Sequence, residues 1–203
     1  MSFVSIAMTE DFISVMSDGR VNHEGSILRE DYQKFAVLEG GTAFVTITGT
    51  RAQGERAIEV MKKSYNEEIP LAGLAIGLQT ILSRDISHSV HPQIKLNMAL
   101  GGISDGRLEV YTLSNEYESP KDVKMYSPKK GDMSFITFEA DEVTKQNVNL
   151  TESFLGYLRQ TGIRTLEEVN PKHFLQAQKQ LNDFVASFDS SVNTNTFELV
   201  VEK

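Results

Sequence analysis

Residues 43–48 read Ala-Phe-Val-Thr-Ile-Thr, between Gly40-Gly41 and Gly49. The run is apolar or β-branched on both of its faces. A strand of that kind is covered on both sides, so the chain has to fold as a layered structure. The strands around it alternate instead. Residues 3–8 set Val4, Ile6 and Met8 on one side, Phe12 to Ser17 follows after the turn Thr9-Glu10-Asp11, and Lys34 begins Lys-Phe-Ala-Val-Leu. Asp18-Gly19 is a hairpin signal, because such turns need positive φ. Residues 21–31 are polar, contain Gly25, and read as a short hairpin arm.

Helical spacing takes over after Gly49. Thr50 to about Tyr65 carries Ala57, Ile58, Met61 and Tyr65 on one stripe, and Pro70 opens a second helix with Leu71, Leu74, Ala75, Leu78 and Leu82 inward. Both stripes read as core. Gly73 and Gly77, four apart, suit close helix packing. Ser87 to Pro92 is a loop whose His88 and His91 lack a third ligand at metal spacing and read as solvated. Leu96 to Ser104, Asp105-Gly106 and Leu108 to Leu113 form a hairpin. Ser114 to Gly131 is polar, with Pro120 and Pro128, and reads as the insertion with most freedom to move. Met133 to Glu139 is a strand. Asn149 with Glu152 and Thr165 with Glu168 read as capping boxes. Asn170-Pro171 starts the clearest helix, striped by Phe174, Ala177, Leu181, Phe184, Val185 and Phe188. Phe197 to Val201 is the last strand.

Strands, a helix pair, strands, helices and a final strand are satisfied by two antiparallel sheets flanked by helices. The 203 residues suit one domain, 1–203, with a substantial core. There is no cysteine, which excludes disulfides, thiolate metal sites and a cysteine nucleophile. A net charge of −8 argues against general nucleic-acid binding. No apolar run reaches membrane-spanning length and the start lacks a signal-peptide pattern, so the expectation is a cytoplasmic protein with no membrane partner.

Four polar points in the first 49 residues suggest chemistry: a hydroxyl at Ser2, a carboxylate at Asp18, an amine at Lys34 and a pliable backbone at Gly49. If Met1 is removed, Ser2 carries both a hydroxyl and a free α-amine, so nucleophile and general base sit on one residue. A nearby ammonium would lower that amine's pKa, and an aspartate would hold the ammonium in place. Taken singly, each residue has a plainer reading. Asp18 is a turn former, Lys34 a strand lysine reaching solvent, and Gly49 a strand-to-helix turn.

The joint spacing of these residues resembles the proteasome-like N-terminal nucleophile (Ntn) hydrolases, most closely the bacterial HslV-type peptidase and its serine-type relatives. In that pattern a hydroxyl residue opens the mature chain, an aspartate follows 16 positions on and a lysine 32 positions on. A glycine stands just before the first helix. Ser2, Asp18 and Lys34 match without a gap, and Gly49 lies in Thr48-Gly49-Thr50-Arg51-Ala52, where the family has small-Gly-x-x-Ala. The resemblance is good over residues 2–60 and fainter to about Leu113, where Asp105-Gly106 sits in a family-like second hairpin. It implies a four-layer αββα sandwich of the α+β class and peptide or amide hydrolysis without a cofactor. It also implies a homo-oligomeric ring and an ATP-dependent unfoldase partner. By the same resemblance Ser2 attacks, Lys34 tunes the amine, Asp18 orients Lys34 and the Gly49 N–H holds the oxyanion. Family members carry a Gly-Ser-Gly that supports the amine; here the matching stretch is read as Asp132-Met133-Ser134-Phe135. A non-catalytic protein of the same fold, acting as a scaffold or partner-binding subunit, is the alternative function.

Overall fold

A computed structural model describes residues 3–23, 26–138 and 141–203. The chain divides into two compact units. Met1–Lys34 with Pro128–Glu202 forms the first, and Phe35–Ser127, inserted between those halves, forms the second together with the last residue.

The first unit is built on β1 (Val4–Met8), β2 (Phe12–Asp18), β10 (Ser134–Phe138) and β11 (Thr196–Glu202), ordered β10-β1-β2-β11 and antiparallel throughout. α3 (Asp141–Lys145), α4 (Leu150–Gln160) and α5 (Pro171–Phe188) belong to the same unit. The period-2 side of the sheet that carries Phe3, Ala7 and Phe12 packs with Phe154, Leu158, Phe174, Leu181 and Val185 of the long helices. Phe12 meets Phe174 edge-on with ring centres 5.0 Å apart, and Phe135 stacks on Phe154 at 4.2 Å. Aromatic pairs of these geometries add about 0.5–1.5 kcal/mol to their area burial. Gln178 of α5 reaches into the sheet: Ser14 Oγ donates to its Oε1 at 2.8 Å and its Nε2 donates to the Ser5 carbonyl at 3.0 Å. These bonds fix the sheet–helix register with polar groups that are fully buried.

The second unit holds β5 (Phe35–Val37), β6 (Ala43–Gly49), β7 (Leu96–Ser104), β8 (Arg107–Ser114) and β9 (Lys124–Tyr126), in that spatial order, with α1 (Arg51–Ser64) and α2 (Leu71–Asp85). Val45 and Ile47 of β6 join Ile58, Met61, Leu78 and Leu82 in its core. The opposite face of β6 is buried as well, with Phe44 and Thr46 at 0 % exposure. Gly101 is required there, since a Cβ would come 2.6 Å from the Phe44 ring.

Several sequence expectations change. Asp18-Gly19 does not turn a hairpin: β2 pairs with β1 and β11, while β3 (Val21–His23) pairs with β4 (Ser26–Arg29). Gly19 does not adopt positive φ; it is glycine because a Cβ would lie 2.6 Å from the Glu30 carbonyl oxygen. Asp105-Gly106 is the Asp-Gly pair with positive φ, at 50° and 70°, and it turns β7 into β8. The polar stretch 114–131 contributes a 3-10 turn, Pro120–Asp122, and the edge strand β9. Gly73 and Gly77 have nothing within 4 Å of where a Cβ would stand, so neither serves close packing within the chain. Thr165 makes no side-chain cap, and Leu166–Glu168 is a single 3-10 turn. Asn149 does cap α4, accepting from Glu152 N, and Asn170 caps α5 reciprocally with His173. His88 Nδ1 donates to the Ile94 carbonyl at 3.0 Å, which makes it a loop brace. Among the described residues no helix is long and apolar enough to cross a membrane.

Candidate active site

Asp18 ends β2 and Lys34 stands just before β5. Their side chains meet in an ion pair, with Lys34 Nζ donating to Asp18 Oδ1. Both are buried: Asp18 is 0 % exposed and Lys34 1 %. The carboxylate is used on both oxygens. Oδ1 also accepts from the Phe3 backbone N–H at 2.8 Å, and Oδ2 accepts from Arg20 N at 2.9 Å. Asp18 N in turn donates to the Phe3 carbonyl at 3.2 Å. One carboxylate therefore grips both the lysine ammonium and the amide that covalently follows Ser2. Ser2 itself lies outside the described residues.

Burial pushes the Lys34 ammonium below its ordinary range, and the charge and hydrogen bond of Asp18 draw it back up. A lysine held this way is a compact positive charge with little water around it. Such a charge acts far more strongly on a neighbouring amine or developing oxyanion than it would in solvent.

The strand end that carries Asp18 is clamped from elsewhere in its unit. Gly19 N donates to Asn193 Oδ1 at 2.9 Å, and the Gly19 carbonyl accepts from Tyr32 N at 2.9 Å. Asn193 Nδ2 donates to the Glu30 carbonyl at 3.0 Å and to Glu30 Oε2 at 2.5 Å. Arg20 pairs with Glu30 at 3.0 Å and donates to the Ser190 carbonyl at 2.7 Å. The Asn193 amide, followed by Arg20, holds the Glu30 carboxyl below the usual range against the effect of desolvation. Sequence reasoning missed Asn193, Glu30 and Arg20 as supports of the site. Only the small, turn-forming character of Asn193-Thr194-Asn195 hinted that this segment makes local hydrogen bonds.

Gly49 belongs to the second unit. Its φ is +98°, and a Cβ there would lie 2.0 Å from the Lys95 carbonyl oxygen. Thr50 N donates to that same carbonyl at 2.6 Å, and Lys95 N donates to Thr50 Oγ1 at 3.1 Å. The glycine is demanded by this crossing of β6 into α1.

The Asp132–Phe135 stretch is not where the family's Gly-Ser-Gly reading put it. In the β1–β10 ladder Ser134 pairs with Met8 and Phe138 with Val4. At about 3.3 Å per residue, Ser134 lies four residues along the ladder from the Val4 end, a distance of roughly 13 Å. The sequence after Phe138 is Glu139-Ala140-Asp141, without a hydroxyl; residues 139–140 lie outside the described residues.

No protein-family model and no curated protein sequence matches this chain. Solved structures do. Eukaryotic HslV from Trypanosoma brucei is 12% identical, covers 99% of both chains and superposes with a TM-score of 0.62. Anbu, an ancestral beta-subunit from Yersinia bercovieri, is also 12% identical and superposes at 0.70 over 98% of this chain and 80% of its own. With two antiparallel sheets, each accompanied by helices, and those superpositions, the chain carries the αββα fold of the proteasome-like N-terminal nucleophile hydrolases.

Proposed function

We propose that residues 1–203 act as one Ntn-hydrolase domain that cleaves peptide or amide bonds with Ser2 as nucleophile once Met1 is removed. One observation carries this reading: the buried Lys34–Asp18 pair, whose carboxylate also binds the amide following Ser2. A fully buried ion pair is a weak source of stability, because desolvation offsets its attraction. A chain that keeps one bonded to its Phe3 N–H gains more from it as a local field than as a brace.

In the proposed reaction the Ser2 α-amine takes the proton from Ser2 Oγ as that oxygen attacks the carbonyl. The Lys34 charge keeps the amine's pKa near neutrality and stabilises negative charge in the transition state. The Gly49 N–H is assigned to the oxyanion. The protonated α-amine gives that proton to the leaving amine as the C–N bond breaks and the acyl group stays on Ser2 Oγ. Water then attacks the acyl carbonyl, and the α-amine takes its proton and passes it to Oγ as the acyl–Oγ bond breaks and the acid departs. The protein works in the cytoplasm as a homo-oligomeric ring, fed peptide substrates by an ATP-dependent unfoldase.

The second reading, a non-catalytic subunit, is favoured by the register of Ser134, the hydroxyl of the Asp132-Met133-Ser134-Phe135 stretch, which pairs with Met8, about 13 Å along the ladder from the Val4 end. Intact mass of natively expressed protein, followed by an electrophile that captures both hydroxyl and amine, separates the two. The enzyme reading expects a chain starting at Ser2 and a covalent adduct there. Ser2→Ala should abolish the adduct, and Lys34→Ala should slow its formation by several orders of magnitude. A chain proven to start at Ser2 that takes no label establishes the non-catalytic reading.

A further inference from the structure

We propose that Asn193 is a positioning residue of this site, acting through Gly19 and Glu30 to hold the Asp18 carboxylate on Lys34; this rests on the catalytic reading of the Asp18–Lys34 pair. Asn193 is only 5 % exposed and all three of its side-chain hydrogen bonds go to the segments that bracket the pair. Its Oδ1 takes the Gly19 N–H, the amide next to Asp18 in the chain. Its Nδ2 ties down Glu30, four residues before Lys34, at both the backbone carbonyl and the carboxylate. Asn193 is itself anchored from α5, since Asn182 Nδ2 donates to its carbonyl at 2.8 Å. Asn182, in the body of α5, therefore holds Asn193, whose amide side chain ties the strand that delivers Asp18 to the segment that delivers Lys34.

An asparagine suits the post because it alone among small side chains offers an acceptor and two donors in one plane. Among the described residues one backbone bond, Tyr32 N to the Gly19 carbonyl at 2.9 Å, joins these segments, and no ladder extends it: Gly19 and Arg20 follow the end of β2, and Asp31 to Lys34 lie between strands. Among the described residues Arg20 also acts on Lys34, and its charge opposes protonation. If Asp18 drifts, Lys34 keeps the repulsion of Arg20 and loses its counter-ion.

The test is the titration midpoint of Lys34, followed by NMR of lysine carrying 13C at Cε, in the full-length protein. Asn193→Ala should lower the midpoint by about one unit, a tenfold shift in protonation. Asn193→Asp keeps the acceptor for Gly19 N–H but sets a carboxylate against Glu30. It should lose about as much thermal stability as Asn193→Ala while holding the midpoint at or above the wild-type position. Asn195→Ala removes a donor to the same Glu30 carbonyl, leaves Gly19's partner in place and should leave the midpoint unchanged. An unchanged or raised midpoint in Asn193→Ala overturns the proposal. If that variant does not fold, a lowered midpoint in Asn193→Asp overturns it instead. Ser2 labelling is measured in parallel. An unlabelled wild type defeats the enzyme reading, whereas the Lys34 midpoint judges Asn193 separately.

Discussion

Replacing Asp18 with asparagine keeps its shape and removes its charge. The carboxylate now serves three donors: Phe3 N at 2.8 Å, Arg20 N at 2.9 Å and Lys34 Nζ. An asparagine oxygen can still accept from one side, but its NH2 group would face a backbone N–H on the other. Two costs follow. Lys34, 1 % exposed, is left as a buried ammonium without a counter-ion, and truncating one partner of such a pair costs about 3–5 kcal/mol. An orphaned backbone N–H costs about 1–3 kcal/mol where it is buried. Lys34 can escape the first cost by losing its proton, so the loss should shrink as pH rises. Asp18→Asn/Lys34→Met removes the stranded cation and leaves only the second cost. The double variant should therefore be more stable than Asp18→Asn alone by about 3–5 kcal/mol. Urea unfolding followed by far-UV circular dichroism reads all three chains, with coincident fluorescence and dichroism transitions as the check on two-state behaviour. In a melt, the single variant, bearing both costs, should fall by roughly 8–32 °C, at about 2–4 °C per kcal/mol for a chain of this size. A loss below about 1 kcal/mol in Asp18→Asn, or a double variant no better than the single, would refute the picture of a dry, charge-compensated pair.

Two further outcomes are expected. Above neutral pH, two groups pull stability in opposite directions. Lys34 has a folded pKa below its ordinary 10.5, so the folded state releases that proton first and stability rises with pH between the folded midpoint and 10.5. Tyr111, buried and bonded to Glu109 Oε2 at 2.8 Å, is raised above its ordinary 10.0, so its contribution is full below 10.0 and is lost at higher pH. Urea midpoints across this range should lose the rise in Lys34→Met and the fall in Tyr111→Phe; unaltered slopes would contradict the assignments. Among the glycines, Gly49→Ala should destabilise by at least about 3 kcal/mol through strain at φ +98° and a clash with Lys95. Gly73→Ala, in open space on α2, should instead gain about 0.5–1 kcal/mol, and equal effects at the two sites would be inconsistent with the geometry.

Much of the fold was legible because its periodicities are local. The stripe Phe174, Ala177, Leu181 and Val185 is the buried face of α5, and Val45 and Ile47 sit opposite Phe44 and Thr46 in a strand buried on both sides. Caps were legible only where another local hydrogen bond did not compete. Asn149 and Asn170 form theirs, whereas Glu168 Oε2 is taken by Arg164 N at 2.7 Å and the Thr165 box is not formed. Asp-Gly at 105–106 turns as the pair predicts, but the same dipeptide at 18–19 does not, because β2 is an interior strand with both edges already paired.

The sequence by itself determined the spacing of Ser2, Asp18 and Lys34, since those positions are set by strand and turn lengths counted along the chain. It also determined that the helices are amphipathic and that residues 43–48 are covered on both faces. Tertiary structure alone decided that Asp18 and Lys34 touch and that both are dry, because burial depends on residues brought in from distant segments. It alone placed Asn193 against Gly19, 174 positions away. It alone set Ser134 beside Met8 rather than near residue 3, because strand register is a pairing between segments. Periodicity records which face of a segment is buried; it holds no record of which partner buries it.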